Sequence, residues 1–364
     1  MENRLRVGIT HGDVNSVSYE LIIKLLLENR ICELCTPILY GSSKVAAYYR
    51  KVLNVENFSL NPIKIPSEAN AKRANIIHCI DDNVKVEIGK ETEESALAAT
   101  TSLNSALHHL DKNEIDLVIM APQGEASFTR AGNRGFPEYL AKCYNVPEIM
   151  TILVGERMKI GFVTENVPLR EVPQLITTKN LGRKLQMLYS SLKIDFTISK
   201  PKIAVLGLNP YFKAGDNGEE EANVIIPAIE RARQNGIMAV GPFMPDRFFS
   251  ERLYEKFDAV LAMYNDQGVI PFKSLSEGSG AAYVTGVPGV CAFSLDSPGW
   301  DVAGQGIADE QGLRNALYLA TDVCNNRRQN LQLLKNPLPH YDVASNSNES
   351  DLNVEQIEGV REDF

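Results

Sequence analysis

The chain has 364 residues, is 44% hydrophobic and carries a formal net charge of −9. Length and apolar content suffice for a large core split over two domains, and the acidic balance excludes a nucleic-acid binder, which needs a clustered basic surface. Met1-Glu2-Asn3-Arg4-Leu5-Arg6 runs into a strand without an apolar signal core, and no apolar run nears the roughly 20 residues that cross a bilayer. A cytoplasmic protein without membrane contact is therefore expected.

In chain order, short apolar runs predict strands over Leu5–Thr10, Thr36–Tyr40, Ile115–Ala121, Ile149–Val154, Lys159–Val163, Lys202–Leu208, Met238–Gly241, Ala259–Met263 and Val290–Ser294. Between them, helical spacing marks Tyr19–Glu28, the alanine-rich Glu93–Leu110 and Ala222–Gln234. Strands alternating with helices predict an α/β fold, with a mostly parallel sheet covered on both faces. From Lys335 onward the chain turns polar and acidic and reads as a tail. Cys32-Glu33-Leu34-Cys35 has redox or zinc spacing, but it stands alone among six cysteines and gives no disulfide framework.

Four predicted strands end in polar turns: Thr10-His11-Gly12-Asp13, Ala121-Pro122-Gln123-Gly124, Gly207-Leu208-Asn209-Pro210 and Met263-Tyr264-Asn265-Asp266. Parallel sheets bind ligands beyond the carboxyl ends of their strands, so these turns are expected to converge on one site. The cluster Asn265-Asp266-Gln267 is read as a turn that Gly268 closes. Ser16 and Ser18 stand before the first helix, where capping is their plain reading. His108-His109 end a helix, where polar or cationic side chains suit the carbonyl pole of the dipole.

Several segments, in order, carry a resemblance: "VGITHGDVNSVSYELIIK", "VTENVPLREVP", "GLNP", "NVIIPAI", "GPFMPDRFF", "FDAVLAMYNDQGVIPFK", "TGVPGV" and "WDVAGQGIAD". Together they are similar to the 4-hydroxythreonine-4-phosphate dehydrogenase family of pyridoxal phosphate biosynthesis. The resemblance runs from about Val7 to about Val323. It implies a two-domain α/β/α subunit with an interdomain cleft, similar to isocitrate and isopropylmalate dehydrogenases. On that basis residues 1–125 plus 300–334 are expected to form one domain and residues 126–299 a second carrying the dimer interface, with 335–364 as the tail. The resemblance also implies a homodimer whose clefts draw residues from both subunits. The chemistry implied is NAD-dependent oxidation of a phosphorylated hydroxy amino acid followed by decarboxylation. A divalent metal held by three histidines polarises the substrate in that chemistry.

Matched position by position, the three family histidines become Asn166, Tyr211 and Asn265. A carboxamide is a poor stand-in for imidazole on a transition metal, so the metal is expected to be lost. Glu125 replaces a family lysine, and the family's "FPGHTEYL" becomes Phe136-Pro137-Glu138-Tyr139-Leu140. "GDxxGxGxE" keeps its acid but has Ser16 and Ser18 for two glycines, and "HGTAFDIAG" becomes Asp296 to Gly304 with Trp300 inside it. The scaffold residues Asn209, Pro210, Pro271, Gly286, Pro288 and Gly304 keep the family pattern.

The resulting candidates are Asp246, Asp266 and Lys273 for catalysis. Asn166, Tyr211, Asn265, Gln267 and Lys273 are placed in the substrate cleft, and Gly286, Pro288, Asp296 and Asp301 on an NAD groove. Asp266, Asp296 and Asp301 would build a magnesium site only if they converged. A folded family member that binds a small molecule or a partner without running the parent reaction is the leading expectation. An NAD(P)-linked oxidoreductase on a different hydroxy substrate is the alternative.

Overall fold

A strand that is apolar along its whole length is stable only with both faces covered. In the computed structural model, which describes residues 4–28, 30–130, 132–212, 218–276 and 280–335, β5 meets that condition. Leu117 and Ile119 enter one apolar cluster, while Val118 and Met120 enter another. The strands are β1 (Arg6–Thr10), β2 (Thr36–Gly41), β3 (Asn61–Ile63), β4 (Asn75–His78), β5 (Leu117–Met120), β6 (Met150–Val154), β7 (Lys159–Phe162), β8 (Lys202–Leu206), β9 (Met238–Phe243), β10 (Ala259–Ala262), β11 (Ala281–Thr285) and β12 (Val290–Ser294). The helices are α1 (Ser18–Leu27), α2 (Ile31–Leu34), α3 (Ser43–Val52), α4 (Glu93–Asp111), α5 (Ala126–Thr129), α6 (Phe136–Tyr144), α7 (Val172–Leu175), α8 (Thr178–Ile194), α9 (Ile226–Gln234), α10 (Pro245–Ser250), α11 (Asn265–Leu275) and α12 (Gln311–Lys335).

Among the described residues all the strands join one 12-stranded sheet, in the order β3-β4-β2-β1-β5-β12-β11-β6-β7-β10-β8-β9. From β3 to β12 the neighbours are parallel. β11 runs antiparallel to both β12 and β6, and β6 runs antiparallel to β7. From β7 to β9 the neighbours are parallel again. Strand direction therefore reverses in the middle of the sheet. The α/β expectation, with mostly parallel pairing, is met. β12, which the sequence reading placed in the second unit, pairs with β5. The expected tail lies outside the described residues, except for Lys335 at the end of α12.

Tyr283 donates from its hydroxyl to Asp195, and Arg327 grips the same carboxylate with Nε at 2.7 Å. This ties β11 and the end of α8 to α12. Among the described residues no helix is long and apolar enough to cross a membrane.

Candidate functional site

The strand-end residues do converge, but not all of them. One cavity of about 290 Å³ is lined by Asn166 and Glu165 after β7, Asn265 at the start of α11, Gln123 and Glu125 after β5, and Ser294 and Asp296 at the end of β12. Its floor is a sheet face where strand direction reverses, lined by Leu153, Phe162 and Phe293. Strand pairing sets Thr151 opposite Val284, and Val284 opposite Cys291. Thr151 and Ser294 thus lie two strands and three residues apart, roughly 14 Å at ordinary strand spacing and rise. The cavity is elongated, with one polar end at Gln123, Ser294 and Asp296 and the other at Thr151, Glu165 and Asn166.

Asn166 has a positive φ of 52°, which asparagine tolerates better than most residues. Its Nδ2 lies so near Gly135 that a Cβ there would approach it to 2.7 Å. The sequence reading of a turn at Asn265 is corrected: the segment is the first turn of α11, capped by Tyr264 without a side-chain bond. Asn265 Nδ2 reaches Asp266 Oδ1 at 3.4 Å, and Asp266 itself is exposed.

Gln267 does not face the cavity. It is buried, accepts from the Met263 N–H at 2.7 Å and donates to the Gly207 carbonyl at 2.7 Å, so it straps β10 to the end of β8. Tyr211 is exposed and lies outside the cavity lining. Asp246, in the first turn of α10, and Lys273 are exposed and also outside the lining. The charge of Lys273 still reaches Asp296, whose pKa it lowers against the larger upward push of burial.

Sequence reasoning missed Arg134, Thr151 and Glu165. Glu165 accepts from the Thr151 N–H at 2.9 Å, and burial raises its pKa while the Lys184 charge opposes that rise. Arg134, the one cation on the cavity wall among the described residues, is held by Glu171 at 3.3 Å. Glu138, where the family has a longer insert, accepts from the Arg134 N–H at 2.6 Å and fastens the start of α6. A charged residue three positions after an apolar strand was the available signal for Glu165, beside the Asn166 already singled out.

The amino-terminal loop closes on itself. Ser16 Oγ donates to the Asp13 carbonyl at 2.7 Å and accepts from the Ser18 N–H at 3.1 Å, while Ser18 Oγ donates to the Pro122 carbonyl. The residue capping α1 is Val17, with no side-chain bond, so neither serine acts as its N-cap. The Ser18 hydroxyl fills the space that glycine would leave beside the Pro122 backbone. Asp13 is buried, accepts from the Asn15 N–H at 2.8 Å and from Ser95 Oγ at 3.1 Å, and has its pKa raised by burial.

The residues present do not fit the implied metal. Asn166 and Asn265 offer neutral carboxamides, and Tyr211 does not join them. Among the described residues no group of three or more His, Cys, Asp or Glu is placed to hold an ion, so Asp266, Asp296 and Asp301 do not converge. The NAD candidates lie at the two ends of β12. Gly286 and Pro288 lie in the turn before β12, whereas Asp296 lies two residues past the far end of that five-residue strand. The physical reason is the hairpin itself, which points its turn and its open end in opposite directions. Asp301 is exposed, and Trp300 packs its ring against Gly124, where a Cβ would stand 3.1 Å away.

Comparison with known proteins bears on the same residues. Residues 33–320 match the family described as pyridoxal phosphate biosynthetic protein PdxA. A 4-hydroxythreonine-4-phosphate dehydrogenase of Bacteroides thetaiotaomicron is 39% identical, over 97% of this chain and 98% of its own. One from Sulfurihydrogenibium is 31% identical over 87% of this chain and 97% of its own. The crystal structure of the Burkholderia phymatum dehydrogenase of that name superposes with a TM-score of 0.70 at 26% identity, covering 88% of this chain and 99% of that one. With its fold and this breadth of similarity, the chain belongs to the PdxA family.

Proposed function

We propose that this chain is a ligand-binding member of the PdxA family that does not run the parent oxidation and works as a cytoplasmic homodimer. The observation that carries the reading is the cavity wall: three carboxylates, Glu125, Glu165 and Asp296, against one guanidinium already engaged by Glu171. A phosphorylated substrate needs donors and positive charge at its anionic end, and like charges on the wall repel it. The carboxamides at Asn166 and Asn265 support the same reading, because they supply no site for a Lewis acid. Exposed Leu169 and Leu175, the latter on a cavity that shares Glu165 and Asn166 with the main one, supply apolar surface that dimerisation would cover.

The test is NAD-dependent turnover of 4-phosphohydroxy-L-threonine with magnesium, zinc or cobalt added in turn. No turnover above the uncatalysed rate is expected, and robust turnover with any of the metals would end the proposal.

A second reading has one observation in its favour. A relative from Oceanobacillus iheyensis, 32% identical over 89% of this chain, is named provisionally a D-threonate 4-phosphate dehydrogenase, so relatives differ in the substrate ascribed to them. On that reading the chain oxidises another hydroxy compound with NAD or NADP. Melting temperature decides between the two, since a ligand bound only by the folded state must raise it. A rise with NAD or NADP favours the oxidoreductase; its absence favours the ligand-binding member.

A further inference from the structure

The face of α12 that packs into the core carries on after the core has ended. Leu313, Ala316, Leu317, Ala320 and Cys324 recur at helical spacing and are buried. The same register, continued, brings round Leu331 and Leu334, with Arg328 and Lys335 beside them. There the cover stops: Leu331 is 62% exposed and Leu334 63%. Two ion pairs mark the rim, Arg327 with Asp195 and Arg328 with Asp116. Every residue from Leu331 to Lys335 lies exposed beyond them. An apolar stripe in register with a buried one calls for an apolar partner of its own.

The chain itself continues past Lys335 to Phe364. Pro337 and Pro339 disfavour a continuation of the helix. Further on, Asp351-Leu352-Asn353-Val354-Glu355-Gln356-Ile357-Glu358-Gly359-Val360 carries Leu352, Val354, Ile357 and Val360 among three carboxylates, with no base. Its apolar side chains suit Leu331 and Leu334, and its carboxylates suit Arg328 and Lys335. The connection is long enough. As a flexible chain, the stretch from Lys335 to Leu352 spans roughly 23 Å, and Arg328 lies only about 10 Å back along the helix. Such a tether holds the segment beside the stripe at an effective concentration of about millimolar. A second copy has no such advantage, and two leucines per chain fall well short of the roughly 1,200 Å² that a stable interface between chains buries.

We infer that residues 351–360 return to the exposed end of α12, laying their apolar side chains on Leu331 and Leu334 and their carboxylates beside Arg328 and Lys335. None of these α12 residues lines the cavity described above, so the inference stands apart from the functional reading. Apolar contact and tether are both required: the leucines supply the surface, and the tether makes so small a contact sufficient.

The experiment is hydroxyl-radical footprinting of the full chain, read by mass spectrometry, with Leu97 on α4, 69% exposed, as the internal reference. Leu331 and Leu334 are expected to be oxidised at least threefold more slowly than Leu97, and to the same extent after tenfold dilution of the protein. In the full chain carrying Ile357→Asp and Val360→Asp, both leucines are expected to be oxidised as fast as Leu97. Circular dichroism of that variant establishes that it is folded. Oxidation of Leu331 and Leu334 as fast as Leu97 in the natural chain would overturn the inference, as would protection that survives the double substitution. Protection that falls on dilution would overturn it too, and would assign the stripe to a second copy.

Discussion

His11 shows what burial does to a single titratable side chain. It is fully buried, stacks on Tyr19 with ring centroids 5.6 Å apart, and leaves both ring nitrogens unpartnered. Burial penalises the imidazolium and lowers the pKa from 6.5 to about 4. Because the folded value lies below the unfolded one, the unfolded chain takes up the extra proton between them, and stability falls as pH drops from about 6.5 to about 4. The expected loss from this group is about 3 kcal/mol over that window. In urea melts at pH 6.5 and pH 4.5, His11→Gln is expected to lose less stability than the natural chain. Equal losses would mean that His11 does not set the slope. The sequence placed His11 at a strand end but gave no sign of its depth, since burial of a loop residue depends on which elements fold over it. Asn166 and Asn265 were legible because a family pattern marked them. Gln267, marked by the same pattern, proved to be a strap between strands rather than a wall of the cleft.

Strands were easier to read than helices with breakers in them. The apolar runs of β1, β2, β5, β6, β7, β8, β10 and β12 were found to within two or three residues, because both-face burial demands unbroken hydrophobicity. β3 and β4 escaped because polar and proline residues interrupt them, and β11 because Ala281-Ala282 carries little strand signal. α12 has Leu313, Ala316, Leu317, Ala320 and Cys324 on one buried face, a helical period that was there to be read. α11 was hidden by Gly268 and Pro271, both poor interior helix residues. Gly268 serves contact rather than bending: a Cβ there would come within 2.5 Å of Phe162 and 2.9 Å of Ile160 on β7. Gly268→Val is therefore expected to destabilise the protein by about 2 kcal/mol, through overcrowding and loss of the α11–β7 fit. A denaturation midpoint equal to that of the natural chain would contradict this account.

For the molecule as a whole, the sequence foretold an α/β fold with two units, and the structure joins their strands in one sheet. The reversal of strand direction in its middle was not legible, because pairing partners are set by long-range packing and not by local pattern. The cavity lies over that reversal, so its lining could only be listed in part from the strand ends. The proposed homodimer has its test at this scale. Light scattering is expected to give twice the chain mass, and Leu169→Glu, at a position 69% exposed in the single chain, is expected to shift it to one chain mass. A natural chain that scatters as a monomer would rule out the dimer.

The adjacency of β5 and β12 has a consequence for how such a protein changes over generations. The chain departs from the amino-terminal half at β5 and returns at β12, strands that are hydrogen-bonded neighbours in register from Leu117 to Met120. Everything between is an excursion whose two ends pair side by side, tied also to α12 through Asp195 and to α4 through Tyr139 and Asn104, and Glu125, Asn166 and Asn265 all belong to it. Substitutions there remodel the interior of the excursion while the pairing from β3 to β5 goes on unaltered. A lineage can in this way exchange what its cleft receives and still inherit the same skeleton.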